Sequence, residues 1–228
     1  MKNLIIGCGR SGTTFVAKYL QSLGLDVGHE NYIGENGVVS WYLTFGERHS
    51  FDHVIHIIRN PYDSFKSYPT FTTDVWKYVC DNIPEIKIDD SDETKFVKYW
   101  CLWNKKAEEV SEVTIKVEEL RSKIPMLLDF FGMKESGNEE SLYEKLLKER
   151  INTRSDDKLY GFDLTFDEED AKMLEEYCEC FGYSIRNISD DNPLFKTSHV
   201  CDSECDGKQL GPCLPPEYKL EIDLTKQV

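Results

Sequence analysis

The chain has 228 residues, of which 40% are hydrophobic and 30% charged, with a net charge of −15. This suits one globular α/β domain with a sizeable core and excludes a disordered chain. The negative charge argues against non-specific nucleic-acid binding or an anionic membrane surface, and no run of about twenty apolar residues offers a membrane span.

Residues 2–7 read as a buried strand that enters a glycine-rich turn, Gly7-Cys8-Gly9-Arg10-Ser11-Gly12-Thr13-Thr14. The turn opens a helix over 13–23, with Phe15, Val16, Tyr19, Leu20 and Leu23 at helical spacing and Gly24 as its stop. Backbone N–H groups at such a helix start attract an anion, and the helix dipole adds about half a positive charge there. The spacing Gly7-x4-Gly12 matches the first half of a nucleoside-triphosphate loop, but Thr13 stands where that loop has Lys. The cation comes earlier, at Arg10, so the loop reads as built for a phosphate-like group rather than for splitting a β–γ bond. Met1-Lys2-Asn3 leads straight into the strand, which leaves no room for a signal peptide's apolar segment before the loop, and the cytoplasm is expected. The eight Cys then read as thiols rather than as a disulfide framework.

Leu25-Asp26-Val27 reads as a short strand ending at Gly28-His29-Glu30, and 37–46 as a helix. Val54 to Ile58 is an apolar run of strand length, within a predicted strand over 53–58. Arg59-Asn60-Pro61-Tyr62-Asp63 follows, with Asn60 as a helix cap and Pro61 in the first turn. The helix is expected over 61–68, stopped by Pro69, with Ser67 about two turns in. Arg59 thus stands at the carboxyl end of a strand, where α/β sheets bind ligands, and its guanidinium fork suits a second phosphate. Residues 70–91 predict short helices and a substrate-side loop, 92–110 a long amphipathic helix, and 113–117 a strand. Helices are expected near 124–131 and 140–149. Thr165-Phe166-Asp167-Glu168 reads as a capping box opening a helix that ends near Gly182. Beyond about residue 187 the pattern gives way to Asp, Pro, Cys and Gly. The expected organisation is a domain over 1–187 and an irregular Cys-containing tail or cover over 188–228. Strands alternating with helices predict a parallel sheet with right-handed crossovers.

Arg10 to Thr14, and Arg59, Asn60, Pro61 and Asp63 with Ser67 eight residues after Arg59, resemble the two donor motifs of sulfotransferases that use 3′-phosphoadenosine 5′-phosphosulfate (PAPS). The resemblance extends through Gly28-His29-Glu30, Val39-Ser40-Trp41, Tyr99-Trp100, Trp103-Asn104 and Lys116-Val117-Glu118-Glu119-Leu120, and to Asn152-Thr153-Arg154. It implies a three-layer, P-loop-NTPase-like α/β fold with a central parallel sheet flanked by helices. It implies PAPS as co-substrate, no required metal, and a small-molecule or glycan acceptor. The 5′-phosphosulfate would lie on Gly9, Arg10, Ser11, Gly12, Thr13 and Thr14, and the 3′-phosphate on Arg59 and Ser67. Arg154 either closes over the 3′-phosphate or is a surface Arg.

Sulfuryl transfer needs charge neutralised on the leaving phosphate and a proton removed from the acceptor. Arg10 and the loop amides fit the first task. Glu30 and His29 are the candidates for the second, and the resemblance favours Glu30, with His29 orienting it. Trp100 and Trp103 read as core, whereas Trp41 and Trp76 are freer candidates for the acceptor cleft. Glu118 is expected to hold loops rather than do chemistry. Cys178 and Cys180 read as packing residues. His199, Cys201, Cys205 and Cys213 offer a zinc ligand set, but their spacing fits no standard zinc motif and the three Cys read as thiols of a flexible tail. The alternative reading is a small nucleotide or metabolite kinase using ATP and Mg2+, and a third is a donor-sensing module without catalysis.

Overall fold

The computed structural model describes residues 1–149, 164–183, 195–197 and 218–222. These fall into two compact units, 1–89 with 98–149, and 90–97 with 164–183, 195–197 and 218–222.

The first unit is α/β, built on a five-stranded sheet that is parallel throughout. In spatial order its strands are β2 (Val27–His29), β3 (Gly37–Val39), β1 (Asn3–Ile6), β4 (His53–Ile58) and β5 (Val113–Lys116). β1 is central and buried at every position, which is why Leu4-Ile5-Ile6 reads as an apolar run after the buried Asn3. The pleat divides its side chains. Ile5 joins Val39, Ile55, Ile57 and Ile115 in a core with α1 (Thr13–Ser22), α5 (Leu120–Phe130) and α6 (Glu139–Lys148). Leu4 and Ile6 join Val38 and Val54 in a second cluster with Ala107 and Val110 of α4 (Asp92–Val110). Helices therefore flank the sheet on both faces. No helix among the described residues is long and apolar enough to cross a membrane.

Several predicted elements are where the sequence puts them. β4 and α4 have the predicted bounds, and α1 ends in a left-handed Gly24 with φ 88°. Others differ. Residues 37–46 do not form a helix: Gly37-Val38-Val39 is strand β3, inserted between β2 and β1, and only Tyr42–Phe45 makes a tight helical turn. The β-branched pair Val38 and Val39 fits a strand buried on both sides better than a helix. β2 starts at Val27, two residues late, because the Asp26 backbone is taken by Asn36: its N–H donates to Asn36 Oδ1 at 2.9 Å and its carbonyl accepts the Asn36 N–H at 2.9 Å. The helix after β4, α2 (Pro61–Phe65), ends well before Pro69, and a second tight turn covers Tyr68–Thr70. One regular helix forms in the stretch read as short helices, α3 (Thr73–Asn82), capped by Thr72.

The second unit holds α7 (Glu168–Cys180) and a three-stranded antiparallel sheet in the order β6 (Leu164–Phe166), β8 (Tyr218–Ile222), β7 (Phe195–Thr197). The stretch beyond residue 187, read as irregular, thus contains strands. The cap of α7 is Asp167, whose carboxylate accepts the Asp170 N–H at 2.8 Å. Thr165 lies in β6, so the predicted box is displaced by two residues. Cys178 is core, as read, whereas Cys180 is exposed. Arg154, His199, Cys201, Cys205 and Cys213 lie outside the described residues.

Candidate functional site

The site is assembled at the carboxyl ends of β1, β2 and β4. Leaving β1, the chain passes so close to β4 that a Cβ on Gly7 would lie 2.3 Å from the Ile57 carbonyl oxygen. It then turns through Cys8 to Ser11, with Ser11 N–H donating to Cys8 C=O at 3.2 Å. Gly12 caps α1 in the left-handed conformation, φ 86°. The first bond within the helix runs from Val16 N–H to Gly12 C=O at 3.1 Å. The N–H groups of the first turn therefore point out of the helix end, as an anion site needs. Two loop amides are turned inward instead. Ser11 N–H closes the turn, and Gly9 N–H donates to the Tyr99 hydroxyl at 2.7 Å.

A cleft of about 500 Å³ opens in front of this loop, and Gly9, Arg10, Gly12, Thr13, Thr14, His29, Glu30, Arg59 and Ser67 all line it. Ser11 alone of the expected loop residues does not, since its side chain is buried with its hydroxyl on the Cys8 carbonyl at 2.6 Å. Arg10 Nη2 donates to Thr70 Oγ1, and Thr70 Oγ1 in turn donates to the Ser67 carbonyl at 2.6 Å. Thr70 thereby ties the Arg10 loop to the Ser67 segment. The Arg10 guanidinium also lies over the Phe71 ring, 5.7 Å from its centroid.

Arg59 follows β4 directly. Its carbonyl accepts Trp100 Nε1–H at 3.0 Å, and the next amide, Asn60 N–H, donates to Glu118 at 2.8 Å. Asn60 Oδ1 caps α2 through Tyr62 N–H at 3.0 Å. Glu118 thus braces this corner by accepting a backbone N–H. Ser67 stands between α2 and the Tyr68–Thr70 turn, not two turns into one helix, and still reaches the cleft.

Glu30 follows β2 with φ 56°. Its Oε1 is 3.2 Å from His29 Nε2, and its Oε2 accepts the Ser40 hydroxyl at 3.3 Å. His29 Nε2 is also 3.3 Å from Thr14 Oγ1 on the anion loop. Burial pushes the Glu30 carboxyl up to about 7 against the opposing pull of Ser40, the Trp41 N–H and the Arg10 charge. Burial, with Lys18 nearby, holds His29 below the usual imidazole range. Desolvation is the largest cause for both groups, and it disfavours the charged form of each. Arg10 and Glu30 are the two non-glycine residues with positive φ among the described residues. Such backbone is held only where its surroundings impose it, and it concentrates at functional sites.

The remaining walls are apolar. At the Glu30 side stand Trp41 and Tyr42, with ring centroids 4.0 Å apart, and Phe71 stacked on Trp41 at 6.1 Å. Near the start of α1, Phe15 meets Tyr143 edge-on at 5.2 Å. Trp41 therefore lines the cleft as read. Trp76 does not: it is buried against Phe71 and Tyr99. Trp100 and Trp103 are fully buried, as expected for core. Sequence reading missed Thr70 and Tyr42 altogether. The only trace of Thr70 was its place three residues after Ser67, the reach of a tight turn.

The chain matches no protein-family model and no curated protein.

Proposed function

We propose that this chain is a PAPS-dependent sulfotransferase on a P-loop-like α/β fold. One observation carries the reading: the two strained non-glycine residues, Arg10 and Glu30, line the same cleft as Arg59 and Ser67. That arrangement supplies two anion-binding corners and a carboxylate between apolar walls. Arg10 and the first-turn amides of α1 receive the 5′-phosphosulfate, and Arg59 with Ser67 receives the 3′-phosphate. The acceptor hydroxyl gives its proton to a Glu30 carboxylate oxygen as its own oxygen bonds to sulfur. The bond from sulfur to the phosphate oxygen breaks in line. Arg10 neutralises the charge arriving on that oxygen, a role typically worth about 3–4 kcal/mol. His29 orients Glu30 and links it to Thr14 on the loop. A base that titrates near 7 is suited to taking a proton at neutral pH. Thr13 in place of the loop Lys disfavours a kinase. A reducing, cytoplasmic setting is part of this reading, resting on the sequence reading of the Cys as thiols.

The test is calorimetric titration with adenosine 3′,5′-bisphosphate and, separately, with ATP and Mg2+, followed by turnover of labelled PAPS against a panel of hydroxyl acceptors. Tight binding of the bisphosphate with weak binding of ATP is expected, and turnover separates an enzyme from a donor-sensing module. Preference for ATP and a strict Mg2+ requirement would transfer the site to the kinase reading.

A further inference from the structure

Beneath the anion loop lies a train of buried polar side chains that the chemistry above does not use. Cys8 is fully buried. Its Sγ is 3.0 Å from Ser11 Oγ, 3.3 Å from the Tyr68 hydroxyl and 3.6 Å from Asn104 Nδ2. Asn104, fully buried on α4, also donates from Nδ2 to the Trp100 carbonyl at 2.8 Å. Its Oδ1 faces His56 Nε2 at 3.1 Å, and His56 Nδ1 faces Thr114 Oγ1 at 3.0 Å. The train thus runs from β5 through β4 and α4 to the loop.

Elementary chemistry fixes the direction of each bond. A carbonyl only accepts, so the Trp100 contact assigns Nδ2 of Asn104, and its Oδ1 must accept from His56 Nε2–H. His56 Nδ1 then accepts from the Thr114 hydroxyl. Burial pushes His56 down to about 4, so one neutral tautomer serves at working pH. At the other end, the Ser11 hydroxyl gives its proton to the Cys8 carbonyl, so it accepts from the Cys8 thiol. The sulfur in turn accepts from Tyr68 and Asn104. Burial raises the Cys8 thiol, which keeps its proton. The Trp100 and Cys8 carbonyls thus set the roles of Asn104, His56 and Ser11.

We infer that Asn104 and Cys8 are positioning residues for the anion loop, fixing the Cys8–Ser11 turn that lifts Arg10 into left-handed backbone and aims the start of α1 at the cleft. The inference rests on the reading of this loop as the phosphosulfate site. A loop ordered in advance spends no binding energy on ordering when the ligand arrives. Loosening its underside weakens donor binding without removing any group that touches the donor.

The experiment is calorimetric titration of the full chain with adenosine 3′,5′-bisphosphate, comparing the unmodified chain with Cys8→Ala, Cys8→Ser and Asn104→Leu, each checked for a cooperative melt. Cys8→Ala removes a donor and two acceptances together, and its dissociation constant is expected to rise about tenfold. Cys8→Ser restores a donor and lone pairs and is expected to stay within about threefold of the unmodified chain. Asn104→Leu should behave like Cys8→Ala. Should Asn104→Leu not fold, the two Cys8 variants decide. A general packing role would lower the melting temperature of Cys8→Ala while leaving affinity alone, and that result overturns the inference. So does a Cys8→Ser loss as large as that of Cys8→Ala. If the unmodified chain does not bind the bisphosphate, the donor reading and the inference both fall. If it binds and Cys8→Ala binds equally well, the inference alone falls.

Discussion

Glu30→Gln should cost activity and raise stability, and the second effect needs no acceptor to measure. In the folded chain the carboxyl titrates at about 7, against 4.5 when unperturbed, because burial disfavours its charge. The side chain is 22% exposed, so the environment is enclosed but not sealed. At about 1.4 kcal/mol for each tenfold change, holding Glu30 ionised costs the folded state about 3 kcal/mol. The sign follows from proton counting. Below about pH 4 the carboxyl is protonated in both states and contributes nothing. Between 4.5 and 7 the folded state holds a proton that the unfolded state has released, so stability falls as pH rises. Above about 8 the loss is complete. Gln has nearly the same shape, accepts the Ser40 hydroxyl through its amide oxygen and carries no charge. Urea unfolding should therefore find Glu30→Gln about 2–3 kcal/mol more stable than the unmodified chain at pH 8, with the difference vanishing near pH 4. With labelled PAPS and a competent acceptor, the same variant should lose about 10²–10⁴ in rate, the usual cost of removing a general base. On the proposed mechanism the unmodified chain should gain rate through about pH 7 as Glu30 ionises. Parallel stability curves for the two proteins from pH 4 to pH 8 would falsify the argument that burial, rather than hydrogen bonding, sets this group.

Three further outcomes follow from the same geometry. Arg59→Ala should weaken adenosine 3′,5′-bisphosphate by about 1.5–3 kcal/mol in a calorimetric comparison while leaving 5′-AMP nearly unchanged, and equal losses would remove Arg59 from the 3′-phosphate. Turnover of labelled PAPS should continue in excess chelator, because the proposed reaction meets the charge on the leaving phosphate with Arg10 and backbone amides; abolition by chelator alone would refute that assignment. Asn60→Ala should destabilise the chain by about 1 kcal/mol through loss of the α2 cap, and unchanged urea unfolding would show that the cap contributes nothing measurable.

Much of this arrangement was legible in the chain, and the illegible parts have identifiable causes. β1, β4 and α4 are long or uniform enough for apolar pattern to define them. β3 is not, being three residues long and opening on Gly37 with φ 118°, where pattern has almost nothing to average. The α2 segment failed for another reason. A Pro marks where a helix cannot continue, but α2 ended four residues before Pro69, since hydrogen bonds over Ser64–Thr70 favoured two tight turns. The cap of α7 went to Asp167 rather than Thr165 because both are competent caps and only strand pairing of β6 with β8 decides between them.

The missed strand matters more for the site than its length suggests. With β3 placed between β2 and β1, the residue after it, Ser40, emerges beside the residue after β2, Glu30. The Glu30 N–H donates to the Val39 carbonyl at 3.0 Å, and the Ser40 N–H donates to the Ile5 carbonyl at 2.9 Å. These backbone bonds fix the strained Glu30 against the strand that feeds the anion loop. Read as a helix, residues 37–46 would leave Glu30 on an unconstrained loop, where neither its φ of 56° nor its upward shift has a cause. The residue types of the proposed general base and anion loop are visible in one dimension. What joins them is the β2-β3-β1-β4 strand order, which brings Thr14, His29, Glu30 and Arg59 together at the carboxyl end of the sheet. A chain can thus carry both motifs openly and still conceal why its carboxylate titrates near neutrality, because that property belongs to a strand pairing rather than to a motif.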